Sequence, residues 1–175
     1  MIAVRRIAAA TMLAALAGIS APSAFAAAAA TDDAPFLKAI HQGNLAEIAA
    51  GESARKDATA ACVKTVGATL VRDHRKLDVG VKALASKLHV NLSTAPSAAQ
   101  EKSMTALQSQ VGTSAYNTTW LTTEAKSHEE TLALIDREVT TGGNAEVRAA
   151  ARAARPVVAK HLELIRACEA HITSS

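Results

Sequence analysis

A single stripe of residues limits what this chain can become. Val63, Gly67, Leu70, His74, Leu77, Val81, Leu84 and Leu88 recur at steps that settle into an alternation of three and four. Positions three and four apart share one face of an α-helix, so this spacing is the seam of a helical bundle. Composition points the same way. Roughly a quarter of the residues are alanine, the best helix former. The aromatics are Phe25, Phe36, Tyr116 and Trp120, too few for an all-β core or for base-stacking nucleic-acid modules.

Weaker stripes predict three more long helices. The first runs from Pro35 to Lys56 with Asp33 as its cap, and the seam helix comes next, from Ala58 to Leu88 with Asp57 as cap. The third runs from Ser114 to Val139 through Leu121, Ala125, His128, Leu132 and Ile135. The fourth, capped by Asn144, reaches Ala170 through Val147, Ala154, Val158, His161, Ile165 and Cys168. Between the second and third, Ser97-Ala98-Ala99-Gln100 reads as a capping box opening a short helix that ends near Val111 and Gly112.

The N-terminus is an address. Arg5-Arg6, an apolar run from Ile7 to Ile19 and Ala24-Phe25-Ala26 form the pattern of a cleaved secretory signal peptide, residues 1–26. Residues 27–33 read as a disordered leader and 34–173 as the bundle domain. Beyond residue 26 there are 17 basic and 16 acidic side chains, a net charge of +1. That balance offers no footprint for nucleic acid. No apolar stretch remains that could span a bilayer, so no transmembrane segment is expected in the mature chain. The expected location is the periplasm, with peripheral outer-membrane association as a variant.

An exported chain with two cysteines invites a disulfide. Cys62 lies in the first turn of the second helix and Cys168 in the last turn of the fourth. In an up-down-up-down bundle those ends would stand on the order of 35 Å apart, whereas bonded cysteines need Cα atoms within about 7 Å. A crossover that returns the chain to its starting end brings them together. The expected fold is therefore all-α: a ferritin-like four-helix bundle with a long crossover, containing the short helix, between helices two and three. Without the bond, both cysteines would be small buried hydrophobes.

His74, His128 and His161 each sit mid-seam, where leucine would be the bland choice. The first helix adds His41, Asn44 and Glu47 to its apolar arc of Phe36, Leu37, Ile40, Leu45 and Ile48. Measured down from the cysteine end, Glu47 falls at about 15 Å, His161 at about 18, His128 at about 22, and His41 and His74 near 25. Five polar groups from four helices are thus expected in one layer. Asp73, Glu129, Glu130 and Glu163 flank the seam histidines but fall on other faces, which reads as a solvated surface. Imidazole and carboxylate suit Zn, Fe, Ni or Cu. Alternatively, the same groups satisfy one another by hydrogen bonds and fix bundle register.

Phe36-Leu37, Gly43-Asn44 with Glu47 and Gly51, Asp73-His74, Tyr116, Trp120, His128, Pro156 and His161 resemble an exported bacterial family. It is known as domain of unknown function 4142, often labelled "predicted outer membrane protein". The likeness covers about Ala34 to Glu169. It implies a ferritin-like fold and export, and no reaction. Against that family's usual pattern, Trp120 replaces Tyr, Tyr116 replaces Phe, and Glu124 stands where an apolar residue is common. Glu124 is four residues before His128 and so shares its face, offering a further carboxylate. Di-iron bundle proteins carry Glu-x-x-His on two helices. Here Val71 and Val158 stand three residues before His74 and His161, which disfavours a di-iron oxidase or iron store.

Three readings of function remain, and two of them lead. One is a structural or stress-related envelope protein with a metal-free His/Glu layer, acting through an envelope partner or as a homo-oligomer. The other is a periplasmic module holding one transition-metal ion, with Glu47, His74, His128, His161, His41 and Glu124 as candidate ligands. A metal-dependent redox enzyme ranks last, and no nucleophile with a His base or phosphate-binding loop is evident.

Overall fold

A computed structural model describes residues 32–174. The expected signal peptide, and the leader up to residue 31, lie outside the described residues. The elements are α1 (Ala34–Asp57), α2 (Ala61–Lys87), α3 (Ala98–Gln108), α4 (Tyr116–Thr141) and α5 (Ala145–Thr173). Among the described residues there is no strand. All four long helices and the short one appear, with ends displaced by up to three residues.

Local chemistry explains most of the boundaries. Pro35 occupies the first turn of α1, where its missing N–H costs nothing. Ser97 and Gln100 form the expected capping box on α3: the Gln100 amide donates to Ser97 Oγ and the Ser97 amide to Gln100 Oε1. Asn144 Oδ1 accepts from the amides of Glu146 and Val147 at the start of α5. Two caps differ from expectation. Asp57 is the last residue of α1, three residues short of the Ala60 that precedes α2, and its carboxylate accepts from Ser53 Oγ instead. Asp33 stands at the start of α1 but turns away from it. It is buried, and its two oxygens accept from the amides of Gly143 and Asn144 in the turn joining α4 to α5.

Neighbouring pairs are α1 with α2, α2 with α5, α5 with α4, and α4 with α1, a closed ring of four. Contacts along each seam give the directions. Ser53 meets Tyr116, Ala50 meets Trp120 and Glu47 meets Ser127, so α4 runs opposite to α1. Lys87 pairs with Glu146, Asp73 with His161 and Cys62 with Cys168, so α5 runs opposite to α2. The segment carrying α3 therefore returns the chain to the end where α2 began. Gln108 on α3 donates to Ser53 Oγ, tying the crossover to α1.

Cys62 and Cys168 stand at disulfide distance, with Sγ atoms 2.06 Å and Cα atoms 5.7 Å apart. They cap an apolar half of the core built from Leu70, Trp120, Leu121 and Ile165. A second apolar half, around Leu37, Ile135, Val147 and Val158, fills the other end. α1 and α2 approach each other closely at Gly51 and Gly67. A Cβ added to Gly67 would lie 2.8 Å from both the Ala54 Cβ and the Gly51 carbonyl oxygen, and one on Gly51 would lie 2.6 Å from the Gly67 oxygen.

Three outcomes are expected. Denatured, unreduced protein shows no titratable thiol. Cys62→Ser with Cys168→Ser costs about 2–5 kcal/mol in urea unfolding, since the bond joins residues 106 apart in the chain. Gly67→Ala forces α1 and α2 apart and lowers stability by about 1–3 kcal/mol, read from the shift of the urea midpoint.

Candidate metal centre

Between the two apolar halves lie His74 on α2, His128 on α4 and His161 on α5. Their ring centroids are 5.1 to 5.7 Å apart, and no residue of the three is more than 3% exposed. Each ring is held from behind through one nitrogen. His74 Nδ1 lies 2.9 Å from Asn44 Oδ1, His128 Nδ1 lies 2.8 Å from the Glu124 carbonyl, and His161 Nε2 lies 3.0 Å from Asp73 Oδ2. A carbonyl and a carboxylate only accept, so the imidazole N–H groups point at them. Asn44 is turned oxygen-first to His74 because its Nδ2 faces Asp78 Oδ1. The remaining nitrogens carry lone pairs. His74 Nε2, His128 Nε2 and His161 Nδ1 are buried and have no partner among the described residues. One nitrogen from each ring lies within 4.8 Å of one from each of the others.

Burial drives this electrostatics. It pushes His74 down to about 4, with Glu47 opposing and the other two imidazoles adding to the fall. It also lowers His161, against the hydrogen bond to Asp73. The Arg72 hydrogen bond first, with His161 assisting, holds Asp73 down at about 2. His74 and His161 are therefore neutral donors at physiological pH, the form that binds metal.

Glu47 and Glu124 stand beside this trio. With His128 they form a second group whose ligating atoms lie within 4.8 Å of one another. Burial, then the charge of Glu47, pushes the Glu124 carboxyl well up. Burial opposes ionisation of Glu47 too, but His128, Glu124, His74 and Ser127 outweigh it and hold that carboxyl down. The two carboxyls are thus pushed in opposite directions, and they hydrogen-bond to each other. Glu47 Oε1 accepts from Ser127 Oγ at 2.7 Å, while Oε2 of each carboxyl has no partner among the described residues. Glu47 Oε1 is 3.9 Å from His128 Nδ1, the edge that the Glu124 carbonyl already occupies.

His41 does not join the layer. It faces Asp78 and the crossover, with Nδ1 2.6 Å from Asp78 Oδ1 and Nε2 2.9 Å from the Ser93 carbonyl, so neither nitrogen is free. Depth along a helix does not fix direction around it, and the ring points between α1 and α2. Asp73 departs from expectation in the other sense. It is only partly exposed, and its carboxylate orients His161 while also pairing with Arg72 at the surface. Asp78 carried no sequence signal. It lies four residues after His74, and a helical stripe of buried polar positions is the only pattern that could have marked it.

With this geometry in view, the family model described as "Domain of unknown function (DUF4142)" matches residues 19–168. The chain belongs to that family. Neither the curated proteins nor the solved structures contain a match.

Acid stability reports on the layer. Between about pH 6.5 and 4 the unfolded chain takes up a proton at His74 that the folded chain refuses, so His74 alone removes about 3 kcal/mol as pH falls through that window. Glu124 has the opposite sign. Its raised carboxyl contributes stability that is complete in acid and is lost as pH rises above about 4.5. Glu124→Gln keeps the neutral form and removes that opposing slope. Urea titrations of chelator-treated protein at pH 7 and pH 5 should show a steeper acid loss for the variant than for the wild type. An equal or shallower loss would contradict the assignment.

Proposed function

We propose that this protein is an exported, ferritin-like bundle that binds one transition-metal ion through His74, His128 and His161. The observation that carries the reading is the convergence of three buried imidazole nitrogens with no partner among the described residues. A metal-free polar layer satisfies its own atoms, since a buried group left without a partner costs about 1–3 kcal/mol. Here one nitrogen of each ring is fixed by Asn44, Glu124 or Asp73, while the other is buried with no partner among the described residues. Hydrogen-bonded orientation of that kind is what metal-ligating histidines receive from the shell around them.

Three imidazoles suit Zn, Cu, Fe or Ni, and three protein ligands leave a coordination position open. Glu47 and Glu124 lie on the far edge of His128 and act there as a proton-holding pair rather than as ligands. The missing Glu-x-x-His motifs, with Val71 and Val158 in their place, favour a single ion. Export is supported by the signal pattern at residues 1–26 and by the cysteine pair at disulfide distance. A buffering or stress-protective role in the periplasm fits such a site better than an assigned reaction does.

Elemental analysis of protein purified without chelators should find about one zinc, copper, iron or nickel per chain, or uptake of one on titration. His74→Ala or His128→Ala should abolish it, His171→Ala should not, and Asp73→Asn should weaken it about 10- to 100-fold. Protein that takes up none of the four metals would leave the layer structural and move the function to a surface partner.

A further inference from the structure

A neutral His74 offers a lone pair at Nε2 only while its proton sits on Nδ1. The side chain that decides this is Asn44, which has an accepting end and a donating end. With its oxygen 2.9 Å from Nδ1 it receives the imidazole proton and leaves Nε2 bare. Turned over, the amide would donate to Nδ1 and drive the proton to Nε2, which could then no longer bind a metal. The two orientations fill almost the same space. The choice between them is made by whatever faces the other end of the amide.

That group is Asp78, one helical turn after His74 on α2. Its Oδ1 lies 3.5 Å from Asn44 Nδ2, and a carboxylate only accepts, so a flipped amide would set oxygen against oxygen. Asp78 is itself anchored. His41 Nδ1 lies 2.6 Å from Oδ1, and Lys82 Nζ lies 3.3 Å from Oδ2. The other His41 nitrogen lies 2.9 Å from the Ser93 carbonyl, so the anchor reaches the crossover. His41, Asn44 and Asp78 are each more than nine-tenths buried. An aspartate placed so deep, touching none of the three histidine rings, thereby has a use.

We propose that Asp78 is a positioning residue for the histidine centre: anchored through His41 to the crossover, it fixes the orientation of Asn44 and so the tautomer in which His74 offers Nε2. The consequence for metal affinity rests on the three-histidine reading given above. The tautomer does not, because it belongs to the metal-free protein.

The test reads both. Two-bond proton–nitrogen NMR spectra of chelator-treated, nitrogen-15-labelled mature chain at neutral pH report which His74 nitrogen carries the proton. Zinc affinity is measured on the same samples by competition with a chromogenic chelator. Wild type should show His74 with the proton on Nδ1 alone. Asp78→Leu should bring in the Nε2–H tautomer and weaken zinc binding about ten-fold or more. Asp78→Asn keeps the shape and offers a donor as readily as an acceptor, so it should show both tautomers even where the leucine variant does not fold. Asn44→Asp combined with Asp78→Asn exchanges the acid and the amide. It should return the proton to Nδ1 and zinc affinity to within about three-fold of wild type, a recovery that a merely structural role does not predict. A wild type with the proton on Nε2 overturns the proposal, as do Asp78 variants that fold and keep the wild-type tautomer, or an exchange variant that fails to restore it. Wild type that takes up no zinc while the tautomers respond as stated upholds the positioning role and refutes zinc binding by the trio instead.

Discussion

Three imidazoles packed together in the core, each with one nitrogen that has no partner among the described residues, are the constraint on which this structure turns. Such an arrangement works against itself, because each lone pair has lost water and gained no donor. It persists only if the opposite nitrogen of every ring is fixed. Asn44 fixes His74 from α1, Asp73 fixes His161 from α2, and the α4 backbone fixes His128. Sliding α1 along α2, or α2 along α5, by one turn, about 5.4 Å, would remove an orienting bond. Two further contacts hold that register. Gly51 and Gly67 let α1 and α2 approach closely enough for Asn44 to reach His74, and Cys62 with Cys168 pins α2 to α5 twelve and seven residues away from the rings.

The layer also divides the core into unlike halves. Toward the cysteines, Leu70, Trp120, Leu121 and Ile165 are essentially inaccessible, and Trp120 Nε1 donates to the Ala50 carbonyl, so packing there is complete. On the other side Ile40, Val81, Leu84 and Leu134 are only partly buried. Alanines on α5 are too small to fill the space between them. The closed half supplies the frame, and the more open half supplies room. Asp33 ties the far end, since its carboxylate joins the start of α1 to the α4–α5 turn and so limits how far those helices can spread.

Much of this was legible from residue spacing. The alternating stripe from Val63 to Leu88 marked α2 and placed His74 in the seam, and the two cysteines selected the crossover arrangement. What spacing does not encode is which neighbour a given face meets. His41 and Asn44 share the buried face of α1, yet His41 turns to Asp78 and only Asn44 reaches His74. On α1, Leu45 and Ile48 are half-buried while Asn44 and Glu47 are buried, the reverse of a simple apolar rule. Asp73 was hidden for a related reason. One residue before His74 it lies about 100° around the helix, which reads as surface until α5 is in place. The caps failed where the chain did not bend as expected: Asp57 remains helical and so cannot cap α2.

The valines at 71 and 158 bear on how many ions the layer could take. In a carboxylate-bridged pair of metals, a glutamate one turn before each histidine closes the second site. Val71 and Val158 occupy those positions and are buried, so neither helix offers a carboxylate one turn before its histidine. The carboxylates that remain, Glu47 and Glu124, come from α1 and α4 instead and approach from the edge of His128. One of them keeps its proton because two adjacent buried carboxyls do not both ionise. A bundle of this architecture has thereby separated two properties that a di-iron core joins. Nitrogen donors gather in one layer, and two buried carboxyls from α1 and α4 stand beside it.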